Sequence, residues 1–94
     1  VPEDVINNFG YEALNNGNIK EAMDFFKRNI EQNPNSANAF DSMADAYEEA
    51  GMWDEALKSS ERAVELANKY GDPGLSNFIK HSNRIKEKYK PIEK

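Results

Sequence analysis

Cysteine is absent from the 94 residues. Its absence excludes disulfides, thiol catalysis and zinc sites built on cysteine. Long hydrophobic runs are absent as well: no apolar segment approaches the roughly 20 residues that cross a membrane, so we expect no membrane partner. No secretory signal is visible. Because the chain begins Val1-Pro2 rather than with Met, we expect it to be part of a longer protein, and its compartment stays open.

Catalytic signatures are also missing. The sequence holds no G-x-S-x-G or S-x-x-K motif and no Gly-rich phosphate loop, so we expect neither an enzyme nor a cofactor. Histidine occurs once, at His81, and no carboxylate stands four residues from it. We therefore expect His81 to be a surface or partly packed side chain, and not a metal ligand. The acidic residues between 41 and 49 repeat along a helix rather than in a calcium-binding loop, which argues against a divalent ion.

Charge is divided unevenly along the chain. Residues 1–74 carry six basic and fifteen acidic side chains, and residues 75–94 carry six basic and two acidic ones. Nucleic-acid binding needs a basic footprint, so the acidic body argues against a nucleic-acid partner. The basic end is typical of a solvated helix face, and the alternative is an anion-binding surface.

A unit of thirty-four residues occurs twice. The segment GNIKEA at 17–22 returns as GMWDEA at 51–56, with Gly, Glu and Ala each displaced by thirty-four positions. This period is typical of two-helix repeats, in which each unit buries its apolar face by stacking on the next. Apolar residues recur throughout at intervals of three and four, which indicates helices. The sequence therefore predicts an all-α fold in a single domain, 1–94.

Caps and breaks predict five helices. Gly17 and Gly51 suit helix C-termini, Pro34 ends the second helix, and Gly71-Asp72-Pro73-Gly74 is the strongest break. Asn18 is the predicted cap of the second helix, and Ser36 or Asn35 that of the third. Gly10, in mid-helix, predicts close approach of a neighbouring helix. The predicted spans are 3–16, 19–32, 36–50, 53–70 and 74–89.

The last helix has no partner after it. Shifting the third helix by thirty-five residues aligns Phe40 with Leu75 and Met43 with Phe78. The other face of the last helix is rich in Lys and Asn. This arrangement is typical of the capping helix that closes a repeat array.

The two units resemble the tetratricopeptide repeat, whose pattern is W-x₂-L-G-x₂-Y…A-x₃-F…P. The first unit has Ile6, Phe9, Gly10 and Ala13 at the first four positions, then Ala22, Phe26 and Pro34. The second has Phe40, Met43, Ala44 and Tyr47, then Ala56, with Ser60 for Phe and Asn68 for Pro. The resemblance covers 3–70 and implies a first repeat at about 3–36, a second at about 37–70 and a capping helix at about 74–89.

A narrower resemblance is carried by three segments: NFGY at 8–11, FKRN at 26–29 and PNSANAFDS at 34–42. They are similar to the tetratricopeptide-repeat tail that follows the catalytic domain of some bacterial serine esterases and β-lactamase-like hydrolases. This resemblance implies that any catalytic serine lies upstream of these residues.

The resemblance also implies a binding groove, because the first helix of each pair lines the concave face of such arrays. The candidate groove residues are Asn7, Tyr11, Asn38, Asp41, Asp45, Glu48 and Lys80. Asn38, Asp41, Asp45 and Glu48 follow one another at intervals of three, four and three, and so form one outward acidic stripe on the third helix. We therefore expect a protein scaffold that binds a neutral or basic peptide or protein segment.

An assembly role is the alternative. The basic residues 75–94 complement the acidic residues 1–74, so the chain could form a homodimer through its last helix or dock on the catalytic domain of a larger enzyme. Contacts of this kind weaken as salt shortens the Debye length.

Overall fold

The computed structural model describes residues 1–90, and these form five helices with no strand. The helices are α1 (Glu3–Asn15), α2 (Ile19–Gln32), α3 (Ala37–Glu49), α4 (Trp53–Tyr70) and α5 (Leu75–Lys88). The all-α prediction and its five helices are confirmed. None of the described helices is long and apolar enough to cross a membrane.

Local chemistry explains the helix ends. Gly17, Gly51 and Gly71 have positive φ angles of 81°, 73° and 67°, a conformation that costs glycine no steric strain and lets a helix end sharply. The hydroxyl of Ser36 accepts a hydrogen bond from the Ala39 amide at 3.1 Å and so caps α3, as predicted. Asn18 occupies the N-cap position of α2, as predicted, but its side chain makes no capping hydrogen bond.

Packing arranges the helices in two rows. α1 packs on α2 and α3, α3 on α4, and α5 on both α3 and α4, whereas α2 and α4 make no close contact with each other. The turns between paired helices are only three residues long, so the second helix of each pair must run back along the first. One side of the molecule is therefore built from α1, α3 and α5, and we call it the α1–α3–α5 face.

The helix α3 lies at the centre of the core. Its Met43 and Ala46 pack with Phe26 and Ala22 of the first helix pair. Its Ala44 packs with Ala56 of α4 and Ile85 of α5. Because α3 is covered on both sides, six of its thirteen residues are buried, more than half of them alanines that permit close helix approach.

The alignment of α5 with α3 differs from the predicted shift of thirty-five residues by about one helical turn. Four buried residues of α3 each have a buried counterpart in α5, thirty-nine positions later in the chain. The pairs are Ala39 and Phe78, Ser42 and His81, Met43 and Ser82, and Ala46 and Ile85. The predicted shift instead pairs buried Ala44 with Ile79, which is 40% exposed.

The cause is the length of α4. This helix has 18 residues, against 14 in α2. Pro34 stands two residues after the last residue of α2, whereas its counterpart thirty-four positions later is Asn68, which lets α4 continue to Tyr70. The extra turn carries the chain further before α5 begins. This displacement decides which side chains of α5 face α3.

We expect Gly10→Ala to destabilise the fold. A Cβ atom at Gly10 would lie 2.6 Å from Cδ1 of Phe26, itself fully buried. Overpacking of this kind costs about 1–3 kcal/mol and outweighs the helix propensity of about 1 kcal/mol that alanine gains over glycine. Urea unfolding followed by circular dichroism measures the change.

The matched control is Glu12→Ala, an exposed change on the same helix, expected to shift stability by about 0.5 kcal/mol or less. Phe26→Leu in the Gly10→Ala background should restore part of the loss, because it removes the opposing ring. A Gly10→Ala protein as stable as the parent would contradict the close approach.

Candidate functional site

The α1–α3–α5 face carries a buried histidine among carboxylates. The third helix presents Asp41, Asp45 and Glu48 on one stripe, since residues three and four apart share a helix face. The displacement of α5 places His81 opposite this stripe. The His81 side chain is only 5% exposed, so a polar ring is held inside the contact between two helices.

Both ring nitrogens of His81 meet carboxylate oxygens. Nδ1 lies 2.6 Å from Oδ1 of Asp41. Nε2 lies 2.6 Å from Oε1 of Glu48 and 3.1 Å from Oδ1 of Asp45. A carboxylate can only accept, so the ring satisfies all three contacts by donating from both nitrogens. We call these four residues the His81 cluster.

The His81 cluster strongly favours the imidazolium form. The hydrogen bonds to Asp41 and then Asp45 raise the pKa of His81 to about 10, and the bond to Glu48 adds to the effect, although burial of the ring opposes it. His81 is therefore charged at neutral pH. Three formal negative charges on α3 then face one positive charge from α5, and charge-assisted hydrogen bonds hold the two helices together.

The first helix reaches the same cluster. The hydroxyl of Tyr11 donates a hydrogen bond to Oδ2 of Asp45, and its ring meets Phe26 edge-on at 5.1 Å between centroids. Burial, then the hydrogen bond to Asp45, raises the pKa of Tyr11 above its usual range. Tyr11 is therefore a neutral donor, and it fixes one oxygen of Asp45 while the other faces His81.

A hydrogen bond between α1 and α3 occupies the position that matches the His81 contact between α3 and α5. Ser42 Oγ donates to Oδ1 of Asn7 at 2.6 Å. Asp41 stands thirty-four residues after Asn7, and His81 stands thirty-nine after Ser42. The Asp41–His81 contact is thus the charged counterpart of the Asn7–Ser42 contact, which independently supports the displaced register of α5.

An open cavity of about 500 Å³ adjoins the cluster. Carboxylates of α3 form one wall and cations of α5 another, and its lining residues are Tyr11, Leu14, Asn15, Asp45, Glu48, Glu49, Arg84 and Lys88. The lining residues from α1 and α3 include no cation, whereas α5 supplies two, Arg84 and Lys88. The cavity therefore carries both signs of charge.

Three of the seven predicted groove residues line this cavity: Tyr11, Asp45 and Glu48. Asn7 is half-buried in its bond to Ser42, and Asp41 is engaged by His81. Asn38 and Lys80 are exposed outside the cavity lining.

Two sequence-based expectations are wrong. His81 is not a surface or partly packed side chain but lies buried within reach of three carboxylates. The acidic stripe does not simply face solvent, because Asp41 and Glu48 are 19% and 16% exposed and are bonded to His81. Both expectations fail because the partners of His81 lie on α3 and not on its own helix.

Arg84 and Lys88 were also missed as groove residues. The signal that could have found them is the absence of a proline at Asn68, which predicts a longer α4 and hence a later register for α5. A shift of thirty-nine residues pairs Asp45 with Arg84 and Glu49 with Lys88. Both pairs line the observed cavity.

Comparison with known proteins shows the fold. Residues 3–36 match the family model of the tetratricopeptide repeat. The solution structure of a tetratricopeptide repeat domain protein from Salinibacter ruber superposes with a TM-score of 0.87 at 17% identity, covering 99% of this chain and 95% of that one. A crystal structure of a tetratricopeptide repeat domain protein from the same organism gives 0.80 at 18% identity, covering 93% and 98%. No curated protein matches. The chain therefore has the tetratricopeptide-repeat fold.

The His81 cluster predicts a stability that depends on pH. The pKa of His81 in the folded state is about 10, above the ordinary value of about 6.5. The charged ring therefore contributes its full stabilisation of the fold below pH 6.5. The contribution is lost as the pH rises through 10. We expect the parent protein to lose about 2–4 kcal/mol between pH 6 and 10 relative to His81→Gln, since one pKa unit corresponds to about 1.4 kcal/mol.

Urea unfolding at several pH values tests this expectation. The comparison with His81→Gln removes the titration of lysines and tyrosines, which the two proteins share. Parallel stability curves for the parent and His81→Gln across this range would show that the imidazolium form is not what stabilises the contact.

Proposed function

We propose that the chain is a protein-binding module that holds an extended peptide or protein segment on its α1–α3–α5 face. Tetratricopeptide-repeat folds bind proteins or peptides, and the fold of this chain supports the same role. The observation that carries the proposal is the open cavity of about 500 Å³ on this face, lined by α1, α3 and α5 together.

The cavity has the chemistry of a peptide site. Tyr11 supplies an aromatic wall and Asn15 an amide, groups that can pack on side chains and bond to peptide backbone. Glu49 is an exposed carboxylate on one wall, and Arg84 and Lys88 are exposed cations on another. These three charges are outside the His81 cluster and are available to a partner.

The positions of the charges on the cavity walls indicate which charges the partner should carry. The α3 wall should prefer neutral or basic segments. The single positive charge of His81 does not balance the three carboxylates around it, and Glu49 adds a further negative charge. The α5 wall favours the opposite sign. We propose a segment of mixed charge, with a basic residue towards Glu49 and an acidic residue or terminal carboxylate towards Arg84 and Lys88.

The proposal also includes the boundaries of the domain and its repeats. Residues 1–94 would form one domain, with a first repeat at 3–36, a second at 37–70 and a capping helix at 74–89. The burial of Phe78 and Ile85 on one side of α5 supports the capping role, because the opposite side exposes Lys80, Asn83 and Lys86.

Reversing single charges in the cavity tests the proposal. A displayed peptide library selected on the parent chain should enrich segments with a basic residue and an acidic residue or free carboxyl terminus. Glu49→Lys should weaken the selected peptides about tenfold or more, measured by fluorescence anisotropy, because it places a cation against their basic residue. Lys88→Glu should weaken them through the acidic end.

Glu31→Lys is the matched control. It makes the same change of charge at an exposed position of α2, outside the cavity, and should leave binding unchanged. If Glu31→Lys weakened the peptides as much as Glu49→Lys, net charge rather than this site would control binding. If the cavity variants bound normally, the site would lie elsewhere.

An assembly role is the second candidate, and one observation favours it. Phe9 is 49% exposed and stacks on Phe25 at 5.7 Å between centroids, beside Val5, which is 36% exposed. This apolar patch lies on α1 and α2, at the end of the array opposite α5. It could dock on a second copy or on another part of a larger enzyme, for which a bacterial hydrolase remains a proposal.

Sedimentation at low and high salt separates the routes to self-association. A dimer held by the basic α5 and the acidic body should dissociate as salt rises, because screening shortens the Debye length from about 10 Å at 0.1 M to 3 Å at 1 M. A dimer held by the Phe9 patch should survive salt and dissociate in Phe9→Ser. A monomer under all conditions would contradict both.

A further inference from the structure

We propose that the His81 cluster is a binding site for a divalent transition metal, with Zn²⁺ as its best fit. The ligands would be His81 Nε2, one oxygen of Asp45 and one oxygen of Glu48. These ligand atoms all lie within 4.8 Å of one another. Asp45 and Glu48 also line the peptide cavity, but the peptide proposal is tested at Glu49 and Lys88, so the two proposals can fail separately.

The identity of the ligands points to Zn²⁺. Imidazole and carboxylate groups together suit zinc, and three protein ligands with one position left for water are typical of open zinc sites. A site made only of carboxylates would favour Ca²⁺ or Mg²⁺ instead. The buried imidazole therefore distinguishes this cluster from an ordinary acidic surface.

The orientation of His81 supports the same inference. Asp41 Oδ1 lies 2.6 Å from Nδ1, so Asp41 holds the ring by the nitrogen that a metal would not use. A histidine that ligates a metal almost always donates its other N–H to such a partner. Asp41 is thus a positioning residue, and it leaves Nε2 directed at Asp45 and Glu48.

Asp45 is also held in position by a residue outside the proposed ligand set. Tyr11 donates to its Oδ2, and its Oδ1 lies 3.1 Å from His81 Nε2. Hydrogen bonds to ligating carboxylates are part of the outer shell of protein metal sites. Two of the three ligands therefore already have outer partners, which come from different helices.

The metal would take the place of the proton on Nε2, which now bridges the ring to Glu48 and Asp45. In a tetrahedral zinc site, ligand atoms stand about 3.4 Å apart, because each lies about 2.0–2.2 Å from the metal. The distance from Nε2 to Glu48 Oε1 is 2.6 Å. Glu48 must withdraw by less than about 1 Å, which its flexible side chain permits. Entry is open, because Asp45 and Glu48 both line the cavity.

Titration of the chain with ZnCl₂ in a calorimeter tests the site, and Co²⁺ provides a spectroscopic probe. We expect one Zn²⁺ per chain, and visible absorption of tetrahedral Co²⁺ that Zn²⁺ abolishes by displacement. Glu48→Gln should weaken Zn²⁺ binding tenfold or more, while its amide oxygen can still accept from His81 and keep the fold. Asp41→Ala should weaken binding about 10–100-fold, because alanine removes the outer-shell bond to Nδ1.

Glu12→Gln makes the same chemical change as Glu48→Gln at an exposed position of α1 and should bind Zn²⁺ like the parent. His81→Gln should abolish the Co²⁺ spectrum, with circular dichroism to confirm that the variant is folded. The proposal is overturned if no heat and no tetrahedral Co²⁺ spectrum appear. It is also overturned if Glu48→Gln and Glu12→Gln bind Zn²⁺ equally, because binding would then belong to scattered carboxylates.

Discussion

The contact between α3 and α5 depends on burying one charged imidazole against three carboxylates. Transfer of an unpaired charge into a protein interior is costly, and partners that satisfy every polar atom offset that cost. His81 has a carboxylate oxygen near each ring nitrogen, and none of the buried side-chain N or O atoms in residues 1–90 lacks a hydrogen-bond partner. The length of α4 sets the register of α5, and the cluster then holds α5 on α3 in that register.

The same interaction shapes the binding face. His81 neutralises part of the acidic stripe, so the stripe is no longer a simple negative surface. Its position also brings Arg84 and Lys88, three and seven residues later on α5, to the cavity wall opposite Glu49. The fold at the end of the array and the charge pattern offered to a partner therefore have a common origin in the register of α5.

Periodicity predicted the helices because local patterns decide them. Ser36 and the glycines at 17, 51 and 71 act within one turn of chain, and the spacing of apolar residues reports burial directly. The site was less predictable, because the Asp41–His81 contact joins residues forty positions apart. Its register depended on one extra turn in α4, which the absence of a proline at Asn68 indicates but apolar spacing does not. Tyr11 and Asp45 were predicted as groove residues on their helices, yet their mutual bond follows from packing.

The protonation state of His81 tests this account most directly. Nitrogen-15 NMR of the imidazole at pH 8 distinguishes an imidazolium, with protons on both nitrogens, from a neutral ring with one. We expect both nitrogens of His81 to carry protons at this pH in the metal-free protein, since the pKa of His81 is raised to about 10. A neutral ring at pH 8 would contradict the charged contact that holds α5 on α3 and neutralises part of the acidic stripe.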